Sequence, residues 1–166
     1  MGDVKHLNDK EAVLKITDLA KEIKTCMFCT YKGNRLHSRP MSVQQVDDEG
    51  NIWFLSDKSS NKNQEIAAID TVELLFGQGH EKYLALHGTA SISYDKEKIK
   101  ELWEPIVKVW MPGGVDDPAL SVIKVAVSEG YYWDIKHGKM VEIAKMAASL
   151  VTGTTMDDGI EGKLRK

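Results

Sequence analysis

No stretch of this sequence approaches the roughly 20 consecutive apolar residues that cross a bilayer, and its start, Met1-Gly2-Asp3-Val4-Lys5-His6, has no secretion-signal core. Met1-Gly2 opens like an acylation site, but that pattern wants Ser or Thr at the sixth position, where His6 stands. The expectation is a cytoplasmic protein with no membrane partner. An excess of charge of one sign is also missing. With 22 Lys and Arg against 25 Asp and Glu the net charge is −3, which gives a nucleic acid no electrostatic reason to bind. Cysteine is scarce: Cys26 and Cys29 are the only two. A zinc site would need two more ligands, and no second Cys-x-x-Cys exists. The pair lies in Thr25-Cys26-Met27-Phe28-Cys29-Thr30-Tyr31, which reads as a strand, and strand residues three apart face opposite sides. His37, His80, His87 and His137 are scattered without metal-ligand spacing, so no metal is expected. Gly77-Gln78-Gly79 lacks the third glycine and the helix of a dinucleotide fingerprint. Neither a Ser-His-Asp order nor paired carboxylates at a strand end mark a catalytic acid, base or nucleophile.

What the chain does have is an ordinary globular composition, 42% hydrophobic and 28% charged over 166 residues, enough for one domain with a real core. Ala12, Val13, Ile16, Leu19, Ala20 and Ile23 recur at helical spacing behind Asn8-Asp9, a capping pair. Strands follow at Thr25–Tyr31, 36–46 and Ile52–Ser56, with turns at Lys32-Gly33-Asn34 and Asp47–Asn51. A short helix is expected over 58–69, with Ser59 or Ser60 near its start, then strands at 71–76 and 83–94. Asp95 caps a helix to about Trp103, and a Pro- and Gly-broken segment runs from Trp103 to Pro118. The last long strand, 121–135, is expected to break around Ser128-Glu129-Gly130. A second amphipathic helix spans 139–150, and 151–166 reads as a flexible tail. Residues 1–150 thus form one domain. Six strands without regular helix interleaving predict a mainly β, α+β fold: an antiparallel six-stranded split barrel with flanking helices.

The most informative stretch is Ser38-Arg39-Pro40-Met41-Ser42-Val43-Gln44, followed by Ile52-Trp53-Phe54-Leu55-Ser56 and Ser59-Ser60-Asn61-Lys62. Arginine offers phosphate a planar fork and lysine a point charge, and a hydroxyl- and amide-rich loop ahead of a helix adds donors. Strand edges beside them present backbone groups and apolar surface to a flat ring. The pattern suits a phosphorylated aromatic cofactor.

The order of these motifs resembles the pyridoxamine-phosphate-oxidase-like flavin-binding split barrels, in particular their general stress protein branch. The resemblance covers nearly the whole chain. It runs through the Ser-Arg-Pro-Met and Trp-Phe-Leu-Ser strands, the Ser-x-Lys loop and the Tyr-x-x-x-x-Gly-x-Ala strand. It continues through the Trp-x-Pro-Gly-Gly segment with Asp-Asp-Pro after it, and ends at Tyr-Tyr-Trp-Asp. It implies a homodimer with FMN at the subunit interface. Arg39 and Lys62 would hold the phosphate, supported by Ser60 and Asn61. Met41, Ser42 and Gln44 would meet the flavin ring, and Leu55 and Ser56 would flank ring and phosphoribityl chain. Trp110 and Trp133 resemble aromatics supplied by the partner subunit. After Trp133 the chain lacks the Arg and His region with which true pyridoxamine phosphate oxidases hold their substrate, so vitamin-B6 oxidation is not expected. Gln44 also stands where those oxidases carry lysine. The expected function is a flavin-holding stress protein, with an FMN-dependent oxidoreductase as the alternative. A haem- or deazaflavin-using relative on the same barrel is a third reading, which neither the histidines nor the net charge favours.

Overall fold

The computed structural model describes residues 3–135 and 159–166. Its organising element is β9 (Leu120–Ile135), whose 16 residues serve three neighbours. The first half of β9 pairs antiparallel with β6 (Ile52–Asp57) on one edge and with β8 (Lys82–Ser93) on the other. Its second half keeps β8 and exchanges β6 for β10 (Gly159–Arg165). From β8 the sheet continues antiparallel through β7 (Thr71–Gln78), β3 (Thr25–Lys32) and β4 (Arg35–Ser42), while β5 (Gln45–Val46) pairs with β6. Two short segments, β1 (Asp3–Val4) and β2 (Leu7–Asn8), lie parallel to β10.

The six expected strands correspond to β3, β4 with β5, β6, β7, β8 and β9, the expected strand over 36–46 being divided into β4 and β5; among the described residues the sheet is completed by β1, β2 and β10. The β3–β4 turn needs only Gly33 and Asn34, with Gly33 at φ 60° supplying the left-handed backbone such a hairpin requires. β9 does not break near Ser128 but bulges there: Glu129 faces His87, Val127 faces Gly88, and Ser128 has no strand partner. Gly88 is required at this point, because a Cβ would stand 2.5 Å from the Ala126 carbonyl oxygen.

Two apolar clusters flank β6, whose alternation divides them. Ile52 and Phe54 enter the main core, where Phe54 meets Phe28 edge-to-face at 5.1 Å, and α1 (Asp9–Ile23) closes that core with Ala12, Ile16, Leu19 and Ala20. Asn8 occupies the N-cap position of α1 in extended conformation but makes no side-chain cap bond. Leu55 faces the second cluster, with Ile99 and Leu102 of α3 (Lys96–Leu102), Val107, Leu120 and Val122. Asp95 caps α3 as expected. Cys26 faces the main core and Cys29 the opposite side; both are buried and free. Burial pushes the Cys26 thiol up to about 12 and raises Cys29 as well.

The expectation of a loose tail from Val151 does not hold for residues 159–165. Ile160, Gly162 and Leu164 alternate among charged residues, a pattern easily read as polar, and Leu164 is almost fully buried. The remaining tail residues and the expected helix 139–150 lie outside the described residues. Gly162 is essential to this docking, since a Cβ there would overlap the Lys5 carbonyl oxygen. Gly162→Ala is therefore expected to lower the urea midpoint by an amount equivalent to roughly 1–3 kcal/mol. A loose tail would leave it unchanged.

Candidate functional site

The site forms where the inner face of β4 meets α2 (Asn61–Ala68). Ser60 is the N-cap of α2, accepting the Asn63 backbone N–H. Asn63, buried one turn in, accepts the Ser56 hydroxyl at 2.7 Å and donates to Ser121 at 2.9 Å; Ser121 in turn donates to the Ser56 carbonyl. These bonds pin the start of α2 to β6 and β9. They fix the direction in which Lys62 leaves the helix.

Along β4, His37, Arg39 and Met41 share the inner face, as the pairing of Arg39 with Phe28 requires. A residue not anticipated from sequence, Glu65 of α2, stands against them with 8% of its side chain accessible. Its Oε2 accepts from Thr30 Oγ1 at 2.5 Å and from Arg39 Nη2 at 2.9 Å, and its Oε1 lies 2.6 Å from His37 Nδ1. A carboxylate only accepts, so Nδ1 carries the proton. Burial alone would raise the Glu65 carboxyl, but these donors outweigh it and bring it down to about 2. Glu65 recurs three residues after Lys62 on an exposed-to-buried helix, and that position on the buried face was the only signal of it in the sequence.

Arg39 spends its terminal edge inside the protein. Nη1 donates to Thr30 Oγ1 and, at 3.5 Å, to the Phe28 carbonyl, while Nη2 reaches Glu65. The lateral edge, Nε–H with the second Nη2–H, has no partner among the described residues. Lys62 lies close enough for the two cations to oppose each other: burial first, then the Arg39 charge, push its ammonium pKa down, against a smaller opposing attraction from Asp57. Among the described residues no carboxylate forms an ion pair with Lys62. A half-buried lysine beside an arginine with a free fork offers an anion charge-assisted donors.

Lys62 opens on a cleft of about 730 Å³. One wall is the end of β4 and the segment after it, with Met41, Ser42 and Gln44; Leu55 of β6 forms the floor. The opposite wall is the segment after α3, where a 3₁₀ turn (Pro105–Val109) brings Glu104, Ile106, Trp110 and Met111 to the cleft. Of the residues expected at the site, Met41, Ser42, Gln44, Leu55, Lys62 and Trp110 are brought together here. Arg39 lies behind them on β4. Ser56 and Ser60 do not line the cleft but anchor α2, and Asn61 lines a separate groove. Trp110 lies on the cleft of its own chain and is 66% exposed. Trp133 is on the outer face of β9, against Tyr131 with ring centroids 4.6 Å apart, and does not reach this cleft.

The split-barrel fold is what the comparisons share with this chain. The family model described as pyridoxamine 5'-phosphate oxidase like matches residues 11–157, and the chain belongs to that family. Among solved structures, a protein described as general stress protein 26 from Jannaschia sp. CCS1 superposes with a TM-score of 0.79 at 25% identity, covering 94% of this chain and 99% of that one. The general stress FMN/FAD binding protein of Xanthomonas citri is 27% identical with a TM-score of 0.62, covering 75% of this chain and 89% of its own. The protein bli-3 of Neurospora crassa is 23% identical over 154 residues, 84% of this chain and 74% of the relative.

The pH dependence of the Arg39–Glu65 pair follows from its sign. The folded Glu65 carboxyl, at about 2, lies below the ordinary value of 4.5. Its stabilisation is complete above that ordinary value and is lost as pH falls through the folded one. The gap in urea midpoint between wild type and Glu65→Gln is thus expected to be widest above pH 5 and to close toward pH 2.

Proposed function

We propose that the protein binds FMN in this cleft, with the phosphate between Lys62 and the lateral fork of Arg39. The observation that carries the reading is a partly desolvated Lys62 that forms no ion pair among the described residues, beside an Arg39 whose one edge is taken by Glu65 and whose other edge no described residue takes. A phosphomonoester supplies the two charges and the acceptor oxygens both groups lack. The isoalloxazine lies along Met41 to Gln44 and over Leu55, with Trp110 as an aromatic wall. When bound, the flavin supplies the electron chemistry and the chain supplies its position and electrostatics. The printed description of the Xanthomonas citri relative as FMN/FAD binding supports a flavin, and the general stress description of the Jannaschia protein supports a role in redox stress.

The active unit is a homodimer in this reading. The outer face of the sheet carries an apolar row, Met27 opposite Leu75, Leu75 opposite Ala85 and Ala85 opposite Tyr131, with Tyr83 opposite Trp133 beside it. Met27, Leu75, Tyr83 and Trp133 are each at least 40% exposed. Such a patch on a sheet face suits a second copy, and Trp133 then reaches the partner's cleft rather than its own. An FMN-dependent oxidoreductase is the second reading, favoured by the exposure of Trp110, which leaves the outer wall of the cleft accessible to a small reductant.

Two measurements test this. In fluorescence titrations Arg39→Ala and Lys62→Ala are each expected to weaken FMN binding roughly ten- to a hundredfold, the worth of one charge-assisted contact, and to leave riboflavin binding unchanged. Equal FMN affinity in the double variant removes the site. In sedimentation the flavin-loaded protein is expected as a dimer and Trp133→Ala to weaken FMN; a flavin-loaded monomer removes the cross-subunit role.

A further inference from the structure

The cleft carries a cation at each end, and a phosphate takes up only one of them. Besides Lys62 it is lined by Lys24, the residue that follows α1. Hydrogen bonding and register fix where Lys24 sits. Its carbonyl accepts the Val43 N–H at 2.8 Å, and the next residue, Thr25, pairs with Ser42. Lys24 therefore stands beside Val43, four residues and about 13 Å of extended chain beyond Arg39. A flat ring that runs from the phosphate along Met41 to Gln44 ends next to it.

The position is an unusual one for lysine. Lys24 has φ 65°, in the left-handed region where glycine closes a helix without strain. Its N–H closes α1 on the Ala20 carbonyl, a bond that glycine would make equally well. What lysine adds is an exposed side chain whose ammonium has no ion pair or hydrogen bond among the described residues. The groups around it are polar as well. Val43 turns its N–H inward to Lys24, so by antiparallel alternation the Ser42 N–H and C=O point to the open edge of β4. The Ser42 carbonyl takes one Gln44 carboxamide N–H, which leaves the Gln44 oxygen and the Ser42 N–H to a ligand. Across the cleft, Ile106, Val107 and Met111 offer apolar surface. An isoalloxazine has one hydrocarbon end and one pyrimidinedione end rich in C=O and N–H groups. Its polar end matches Ser42, Gln44 and Lys24.

We infer that Lys24 is the cation facing the pyrimidinedione end of the flavin, and that it stabilises the reduced ring more than the oxidised one. The inference rests on the flavin reading above and adds a residue that governs the electronics of the bound ring. The oxidised ring is neutral. A hydride donor such as a reduced nicotinamide breaks a C–H bond, passes two electrons and one proton to the ring N5, and leaves as the pyridinium. The negative charge so gained spreads over the N1–C2=O edge. An ammonium at that edge favours the charged state alone and raises the midpoint potential. Glu104, the one carboxylate lining the cleft, comes from the opposite wall.

The test is the midpoint potential of FMN on the full chain, measured against reference dyes, beside fluorescence titration of oxidised FMN and urea unfolding. Lys24→Gln is expected to weaken the reduced flavin more than the oxidised one by roughly three- to tenfold, between the worth of an exposed ion pair and of a charge-assisted contact. For a two-electron couple that lowers the potential by roughly 15–30 mV. Lys24→Arg should hold the wild-type potential. Lys24→Gly should lower it as Gln does, yet leave the urea midpoint equal or higher, because glycine relieves the left-handed backbone. A lysine kept only to balance the α1 dipole gives the reverse: a lower urea midpoint in both neutral variants and an unchanged potential. That result overturns the role of Lys24 and leaves the flavin cleft standing. So does a loss of oxidised and reduced FMN by the same factor, or a potential that falls as far in Lys24→Arg as in Lys24→Gln. Failure of the wild type to bind FMN overturns both.

Discussion

A positive charge half-buried in a small barrel must be compensated, and the Arg39–Glu65 pair is how this chain does it. An unpaired guanidinium at the inner face of β4 would carry a desolvation cost of several kcal/mol. Glu65 answers only one edge, and Thr30 completes the geometry by accepting from the arginine and donating to the carboxylate. The arginine is thereby fixed in orientation but not satisfied. Everything around the pair serves that half-satisfied state: the serine and asparagine contacts that set the start of α2, the β3–β4 pairing that aims His37, Arg39 and Met41 the same way, and the hairpin that ends it. The site's net charge is also set here, since one of its two cations already has an internal counter-charge.

The cleft owes its shape to a different constraint. β9 is shared between β6, β8 and β10, and the bulge at Ser128 lets it turn from one partner to the other. β6 is consequently packed on both sides, and its Leu55 looks out of the second cluster into the cleft. The opposing wall is irregular chain: Pro105 starts the 3₁₀ turn and leaves Ile106, Val109 and Trp110 uncovered. A regular helix would have buried one apolar stripe against the barrel. The broken segment instead presents aromatic and aliphatic groups over an opening.

Much of this was legible in the sequence because local signals and tertiary demands agreed. The six long strands, α1, the caps of α2 and α3, and the Gly33 turn all follow from period, propensity and turn chemistry. Lys62, Met41, Ser42, Gln44, Leu55 and Trp110 do meet in one cleft. What the sequence hid falls into two kinds. Residues 159–165 look polar because half their side chains face out, and a strand with a glycine at its tightest contact has little apolar signal to show. Glu65 was hidden because a carboxylate on a short helix reads as solvated surface until its partner on a distant strand is known. Ser56 was expected to flank the ring and phosphoribityl chain and Ser60 to support the phosphate; in the structure both bond within the network through Asn63 that holds the start of α2. Trp133 was recognisable as a special position, but one chain alone cannot place it in its own cleft.

The two cysteines carry a consequence for how such a protein meets oxidants. A thiol reacts as its thiolate, and with Cys26 near 12 that form is all but absent at neutral pH. Cys29 is sealed on the opposite face, while Met27 between them stands 40% exposed. In the single chain the accessible sulfur on this sheet is therefore the Met27 thioether, whose oxidation methionine sulfoxide reductases reverse, and neither sulfhydryl.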